Sequence, residues 1–380
     1  MSVSASEPAQ DPEIQTLEEL HAYLYKGLQL EHATLPPYLT ALYSLLPGKN
    51  SDAWHVLRVV AVEEMLHLTL VANVMNAVGG TPDLTKPNFV PNYPAHLPSG
   101  PDYFKVHLRP FSHEALDTFL KIEKPAQADT EEDRFVPMDW AALGMTSSGA
   151  VPPPEKLAEL EESGTFLGLV PGEPTKRFSS IGEFYEEIIR GINHLEDRAR
   201  EEGKSIFTGD PARQVTPEYF YSGGGDVIKV TGRDTAVAAL TLVAEQGEGL
   251  GGGIFDEQDE LAHYYRFQQL EKGRYYQKGD TPGEPSGPDL HVDWGAVHPV
   301  KPDIKLADLA GDPEVLAAAT EFNQSYATFL TSINLAYNGQ PDLLLKAVWG
   351  MFRMRDSMHR LVRNPLTGHP GENAGPTFEI

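Results

Sequence analysis

Cysteine is absent from all 380 residues. That removes disulfides, thiolate zinc sites, iron–sulfur clusters and cysteine nucleophiles from consideration. Basic residues are scarce: 30 Lys and Arg stand against 55 Asp and Glu, for a formal net charge of −25. Nucleic acid and anionic membrane surfaces both call for a basic face, and no run of Lys and Arg supplies one. Long apolar runs are lacking too. Val56 to Val62 is broken by Arg58 and closed by Glu63, so no segment reads as membrane-spanning. Met1 to Pro12 is polar and acidic, without the basic start and apolar core of a signal peptide. The cytoplasm is therefore the expected compartment.

What is present is mostly helical pattern. Residues 1–14 read as a disordered tail. Thr16 with Glu19 three residues on is a capping-box signature, and Leu17, Leu20, Leu24 and Leu28 recur at helical spacing. A helix is expected from about Thr16 to Leu46, kinked or restarted at Pro36–Pro37. A second runs from Ser51 to Ala77 or Val78, apolar almost all round and so central, and stops at Gly79–Gly80. Residues 81–176 form a long proline-rich insertion, with strand-like alternation over Phe104–Leu108 and a short helix over His113–Ile122. A helix over Ile181–Arg200 follows, capped by Ser179 or Ser180. Gly223–Gly225 reads as a turn leading to a strand-like Val227–Val230. Helices over Thr235–Glu248 and about Glu257–Lys272 come next. The expected organisation is a four-helix domain over 15–278, a Pro/Gly-rich linker over 279–312, and a C-terminal helical hairpin over 313–380 broken at Asn338–Gly339 and packed on the bundle.

Two motifs carry chemistry. Glu64-Met65-Leu66-His67 lies inside the most apolar helix, and Glu260-Leu261-Ala262-His263 lies on a later one. Carboxylate and imidazole three residues apart share a helical face and can hold one metal ion. A lone pair of this kind in an acidic chain is more often a solvated surface pair. Glu64 differs, because its neighbours are Val, Ala, Met and Leu, and a buried unpartnered carboxylate costs on the order of several kcal/mol. Two such motifs plus one glutamate from each of two further helices make the dinuclear carboxylate site of four-helix bundles. Glu31 on the first helix and Glu245 before the second motif complete the set. Glu31 and Glu64 lie nearly equidistant from Pro47–Gly48, as Glu245 and Glu260 do from Gly251–Gly253, which would bring each pair to one height. Glu248, one turn on, competes with Glu245, and Glu63 is expected on an adjacent face. With carboxylate and imidazole but no thiolate, two iron ions are the expected cofactor, manganese the alternative.

Other residues have weaker claims. Glu187 and His194 share a face and would line a cavity, add a ligand or hold a structural hydrogen bond. Tyr38, Tyr264 and Tyr265 flank the expected ligands as hydrogen-bond donors or radical relays, or simply as core aromatics. His21, His32 and His55 have no evident partner.

Glu31-His32-Ala33-Thr34-Leu35-Pro36-Pro37-Tyr38, Glu63–His67, Glu245-Gln246-Gly247-Glu248-Gly249, His263-Tyr264-Tyr265-Arg266-Phe267 and the terminal Ala374-Gly375-Pro376-Thr377-Phe378 together resemble the ferritin-like family of iminophenyl-pyruvate dimer synthases, enzymes of violacein and indolocarbazole pathways. The resemblance spans most of residues 16–380. It implies a mainly α, ferritin-like four-helix bundle and oxidative chemistry on a small, amino-acid-derived substrate in secondary metabolism. The residue pattern and the resemblance lead to three expectations: a diiron oxidase or oxygenase using dioxygen or peroxide, an imine-coupling synthase, or an iron-binding or oxidant-defence protein. An electron-donor protein and self-association are compatible with the first; nucleic acid and membrane are not expected partners.

Overall fold

The computed structural model describes residues 12–98, 104–125, 178, 180–220, 223–249, 253–256 and 258–380. The expected tail up to residue 11 and most of the insertion lie outside them, as does the Ser179 alternative cap. In chain order the helices are α1 (Leu17–Ser44), α2 (Ser51–Ala77), α3 (His113–Ile122), α4 (Ile181–Glu201), α5 (Arg233–Glu248), α6 (His263–Lys272), α7 (Pro313–Tyr337) and α8 (Asp342–Leu361).

Local chemistry sets the ends of these helices. Thr16 accepts the Glu19 N–H while the Glu19 carboxylate accepts the Thr16 N–H, a complete capping box. Ser180 caps α4 by accepting from Glu183 N–H, and Ser112 caps α3 through Ala115 N–H. Pro36 and Pro37 do not end α1, which runs on to Ser44. Pro37 removes the N–H that would have bonded the Ala33 carbonyl. Tyr93 takes its place, its hydroxyl donating to Ala33 O at 2.7 Å. The helix therefore passes through both prolines with that buried carbonyl satisfied.

Four helices close a ring: α1 packs on α2, α2 on α5, α5 on α4, and α4 back on α1. Leu20, Leu24 and Leu28 of α1 meet Leu57, Leu66 and Val71 of α2 in one buried core. The short helices α3 and α6 pack on each other and lean on α1 and α2 respectively. The α7–α8 hairpin seats α7 on α2 and α8 on α1. Residues after α6 return along the end of α1, where Leu46 N–H donates to Ala296 O and His298 N–H to Ser44 O.

Two strand expectations are corrected. Among the described residues, Phe104–Leu108 contributes a single bridge, Ala95 to Val106. Val227–Val230 is extended but pairs with side chains instead of a strand. Asn73 Nδ2 donates to Ile228 O at 3.0 Å, and Val230 N–H donates to Gln214 Oε1 at 3.0 Å. The helix expected from Glu257 begins only at His263. Ahead of it, Asp256 accepts the N–H groups of Gln258 and Glu260, Asp259 sits at φ +62°, and Phe255 bridges to Leu261. That turn uses the residues a longer helix would need. No helix among the described residues is long and apolar enough to cross a membrane.

Candidate metal centre

Five buried side chains converge where α1 and α2 meet the short helices. Glu31, Glu64 and His67 form one group, and Glu64, Glu123 and His263 a second; within each group one ligand atom per residue lies within 4.8 Å of the others. Glu64 belongs to both. Its Oε1 stands 3.0 Å from His263 Nδ1 and 3.9 Å from His67 Nδ1, while its Oε2 accepts from Thr34 Oγ1 at 2.8 Å.

The halves mirror each other. Glu31 Oε1 accepts from the Tyr185 hydroxyl, and Glu31 Oε2 faces His67 Nδ1 at 3.2 Å. Glu123 Oε1 accepts from the Tyr38 hydroxyl, and Glu123 Oε2 faces His263 Nδ1 at 3.6 Å. The two imidazole rings lie nearly parallel with centroids 5.4 Å apart. Each turns Nδ1 inward and secures Nε2 outside: His67 on Gln246 Oε1 and His263 on Glu63 Oε2, both at 2.9 Å. The tautomer of His67 follows from the network. Gln246 Nε2 donates to Gly224 O, so its Oε1 is an acceptor and His67 Nε2 carries the proton. Nδ1 is then the lone-pair nitrogen, as a metal ligand must be.

The site is electrostatically crowded. Burial first, then the charges of Glu123 and Glu31, push the Glu64 carboxyl up to about 7. Burial opposes charge on His67 and His263, yet the facing carboxylates outweigh it and raise both. Glu63 is resisted by burial but held below its usual range by His263 and Arg266. Burial, then carboxylate neighbours, lift the Tyr38 and Tyr185 hydroxyls well above the ordinary range, keeping them protonated donors. With Glu31, Glu63, Glu64 and Glu123 ionised, the imidazoles neutral and Arg266 positive, four negative charges and one positive leave −3. Two divalent cations bring +4 and leave +1. The donor set fits a metal cation on a further count: His263 Nδ1 is wholly buried and makes no hydrogen bond.

The placements correct two of the expected ligands. Glu31, Glu64, His67 and His263 come together; Glu245 and Glu260 do not join them. Glu245 precedes Gln246, and a helix turns about 100° per residue. Gln246 points at His67, so Glu245 lines an open groove with Asn193, Arg233 and Leu242 instead. Glu260 lies in the turn ahead of α6, 57% exposed, and pairs with Arg266 Nη2 at 3.2 Å. Glu248 accepts the Gly182 N–H at the start of α4, where an acidic group suits the helix dipole. Glu187 and His194 hold the segment before α1 through Glu13 N–H and Gln15 Oε1. Tyr264 accepts from Gln268 and sits edge-on to Tyr265; Tyr38 alone of the three flanking tyrosines reaches the cluster. His21 bonds Val78 O and His32 bonds the Tyr326 hydroxyl.

Glu123, Glu63 and Gln246 were not expected at the site. Glu123 carried a signal: it caps the C-terminus of an apolar-faced helix, where the dipole disfavours an anion. Glu63, beside Glu64, is 1% exposed, which an adjacent-face residue of a surface helix would not be.

A four-helix ring with a buried cluster of carboxylates and imidazoles defines a ferritin-like protein. The chain belongs to the Ferritin-like family, whose model matches residues 24–272. Dichlorochromopyrrolate synthase of Lentzea aerocolonigenes is similar, 26% identical over 351 residues covering 84% of this chain and 29% of that enzyme. The chain thus spans less than a third of the length of that curated relative. A ferritin-like protein from Caulobacter vibrioides, solved as a crystal structure, superimposes with a TM-score of 0.60 at 19% identity, covering 97% of this chain and all of the other.

Proposed function

We propose that this chain is a non-haem dinuclear-iron oxidoreductase acting with dioxygen or peroxide on a small, amino-acid-derived substrate in secondary metabolism. The observation that carries the reading is the shared position of Glu64 between two inward-facing Nδ1 atoms, each backed by its own terminal carboxylate. Two ferrous ions held there would supply electrons for the reduction of an oxygen-derived oxidant. Glu31, Glu64 and His67 would hold one ion, and Glu64, Glu123 and His263 the other. Tyr185 and Tyr38 keep one oxygen of Glu31 and of Glu123 engaged, leaving the second oxygen of each for the metal. Gln246 and Glu63 keep the protons on the outer nitrogens. All five clustered side chains are buried, so charges there act at low dielectric.

A second reading, oxidative coupling of two imines of an aromatic 2-oxo acid, is supported by the similarity to a synthase named for dichlorochromopyrrolate. Anaerobic loading with ferrous iron followed by dioxygen tests the first. Saturation near two irons per chain, a visible absorption transient and faster decay with substrate support it. Uptake of tens of irons per chain would instead mark an iron-storage protein. Feeding aromatic imines and finding a coupled dimer would select the second reading.

A further inference from the structure

The two halves of the centre use the same kinds of inner partner, though Glu64 Oε1 lies nearer His263 Nδ1 (3.0 Å) than His67 Nδ1 (3.9 Å), and they differ in kind outside it. Each has a tyrosine-bonded terminal glutamate, an inward Nδ1 and a share of Glu64. The outer nitrogens have unlike partners. His263 Nε2–H donates to the carboxylate of Glu63, whose other oxygen meets Arg266 Nη2 at 3.3 Å. His67 Nε2–H donates to the neutral amide of Gln246. An imidazole bonded to a carboxylate is the more basic ligand and gains nearby negative charge; removing such a partner typically costs about 10–100-fold in metal affinity. Arg266 withdraws part of that charge. It also serves Glu260 and the Leu261 carbonyl, so its charge is shared with a second carboxylate.

One backbone position keeps the two partners distinct. Gly224 sits at φ +76°, and a Cβ there would stand 2.7 Å from Glu63 Cγ and 3.1 Å from Glu63 Cα. Its carbonyl accepts from Gln246 Nε2 at 2.8 Å. The glycine turn therefore lies close against Glu63, with no room for a Cβ, and fixes which end of Gln246 faces His67.

On the dinuclear reading above, we propose that the two metal positions are unequal: the first ion enters among Glu64, Glu123 and His263, and the second among Glu31, Glu64 and His67. Glu63 and Gln246 are positioning residues that set this order through the histidines.

The test is a Co(II) titration of metal-stripped full-length protein, read by d–d absorption and calorimetry. Two steps alone decide nothing, because ions sharing Glu64 repel and the second binds more weakly in either order. The step that each variant moves is decisive. Glu63→Gln should weaken the first step by about 10–100-fold and leave the second nearly unchanged. Gln246→Leu should weaken only the second. Both variants are checked for a native circular-dichroism spectrum, and either one, if folded, suffices. A loss confined to the second step in Glu63→Gln, a loss in the first step of Gln246→Leu, or no change in either would overturn the proposed order. Absence of Co(II) binding to the folded wild type would overturn the dinuclear reading itself.

Discussion

Replacing Glu123 by Gln should lower the stability of the metal-loaded protein by more than it changes that of the metal-free protein. Glu123 is 2% exposed and faces a cluster of carboxylates. Two like charges about 4 Å apart repel by roughly 4 kcal/mol at an effective dielectric of 20. The neutral amide keeps the shape and relieves part of that repulsion, but it also gives up the attraction that Glu123 offers the raised His263 imidazole, so the two effects oppose and the metal-free protein changes little. With metal the loss is clear. An ion at about 1,000 times its Kd stabilises by about 4.1 kcal/mol, and at about 10 times by about 1.4. A roughly 100-fold weaker site therefore forfeits about 2.7 kcal/mol. At about 2.1 cal/mol/K per residue, 380 residues unfold with an entropy near 0.8 kcal/mol/K, so the loss lowers Tm by about 3 °C. Differential scanning calorimetry with EDTA and with anaerobic Fe(II) measures both. Glu260→Gln, at an exposed ion pair, should stay within about 0.5 kcal/mol in either condition. If Glu260→Gln abolishes the metal-dependent rise in Tm while Glu123→Gln retains it, the site belongs to the other glutamate and the reasoning fails.

Glu64 holds its proton to about pH 7 in the fold but loses it near 4.5 when unfolded. Between those values the native state binds more protons, so stability of the metal-free protein should fall as pH rises. His67 and His263, also raised, act with the same sign above pH 6.5; a Tm of the stripped protein that climbs from pH 5.5 to 8 would contradict this. Glu63 is lowered, so its contribution is lost only on acidification below its usual range. Tyr93→Phe leaves the Ala33 carbonyl without its donor and should cost about 1–3 kcal/mol in denaturant unfolding; no measurable change would mean that another group satisfies it. Gly224→Ala forces a Cβ onto Glu63 at positive φ and should cost at least about 1 kcal/mol while lowering metal content; a variant as stable and as metal-loaded as wild type would show that the turn leaves room for a Cβ.

The helices were legible because their signals are local. The capping box at Thr16, the leucine spacing of α1 and the glycine stop after α2 each fix a boundary within a few residues. The first half of the cluster was legible for the same reason: Glu64 and His67 share one unbroken helix, and Glu31 lies across a short turn from them. The second half was not. Equal heights for Glu245 and Glu260 would require Gly251–Gly253 to join two helices, but α6 starts at His263 and Glu260 falls in the turn before it. Glu123 approaches from α3, and no periodicity reports which short helix of an insertion folds back on the bundle. The apparent second Glu-x-x-His is thus a motif in sequence alone, with its two ends in different local structures.

This division explains why the centre is built from unlike parts. A bundle that supplied all ligands from mid-helix positions would take a glutamate from α4 and a carboxylate–histidine pair from α5. Here the starting turns of α4 and the last turn of α5 meet the cluster instead, and they bring Tyr185 and Gln246, which bond to Glu31 and His67 but add no carboxylate to the cluster among the described residues. The missing donors come from the C-terminal end of α3 and the first residue of α6. Those two short helices pack on each other and bury Phe119 against Phe267, ring centroids 5.3 Å apart. Tyr38 of α1 packs on both rings and donates to Glu123. One hydroxyl thus ties the ligand from the short pair to the long pair. Three of the five clustered side chains are held by α1 and α2, and the other two by a helix pair that the apolar core and Tyr38 keep in register with them.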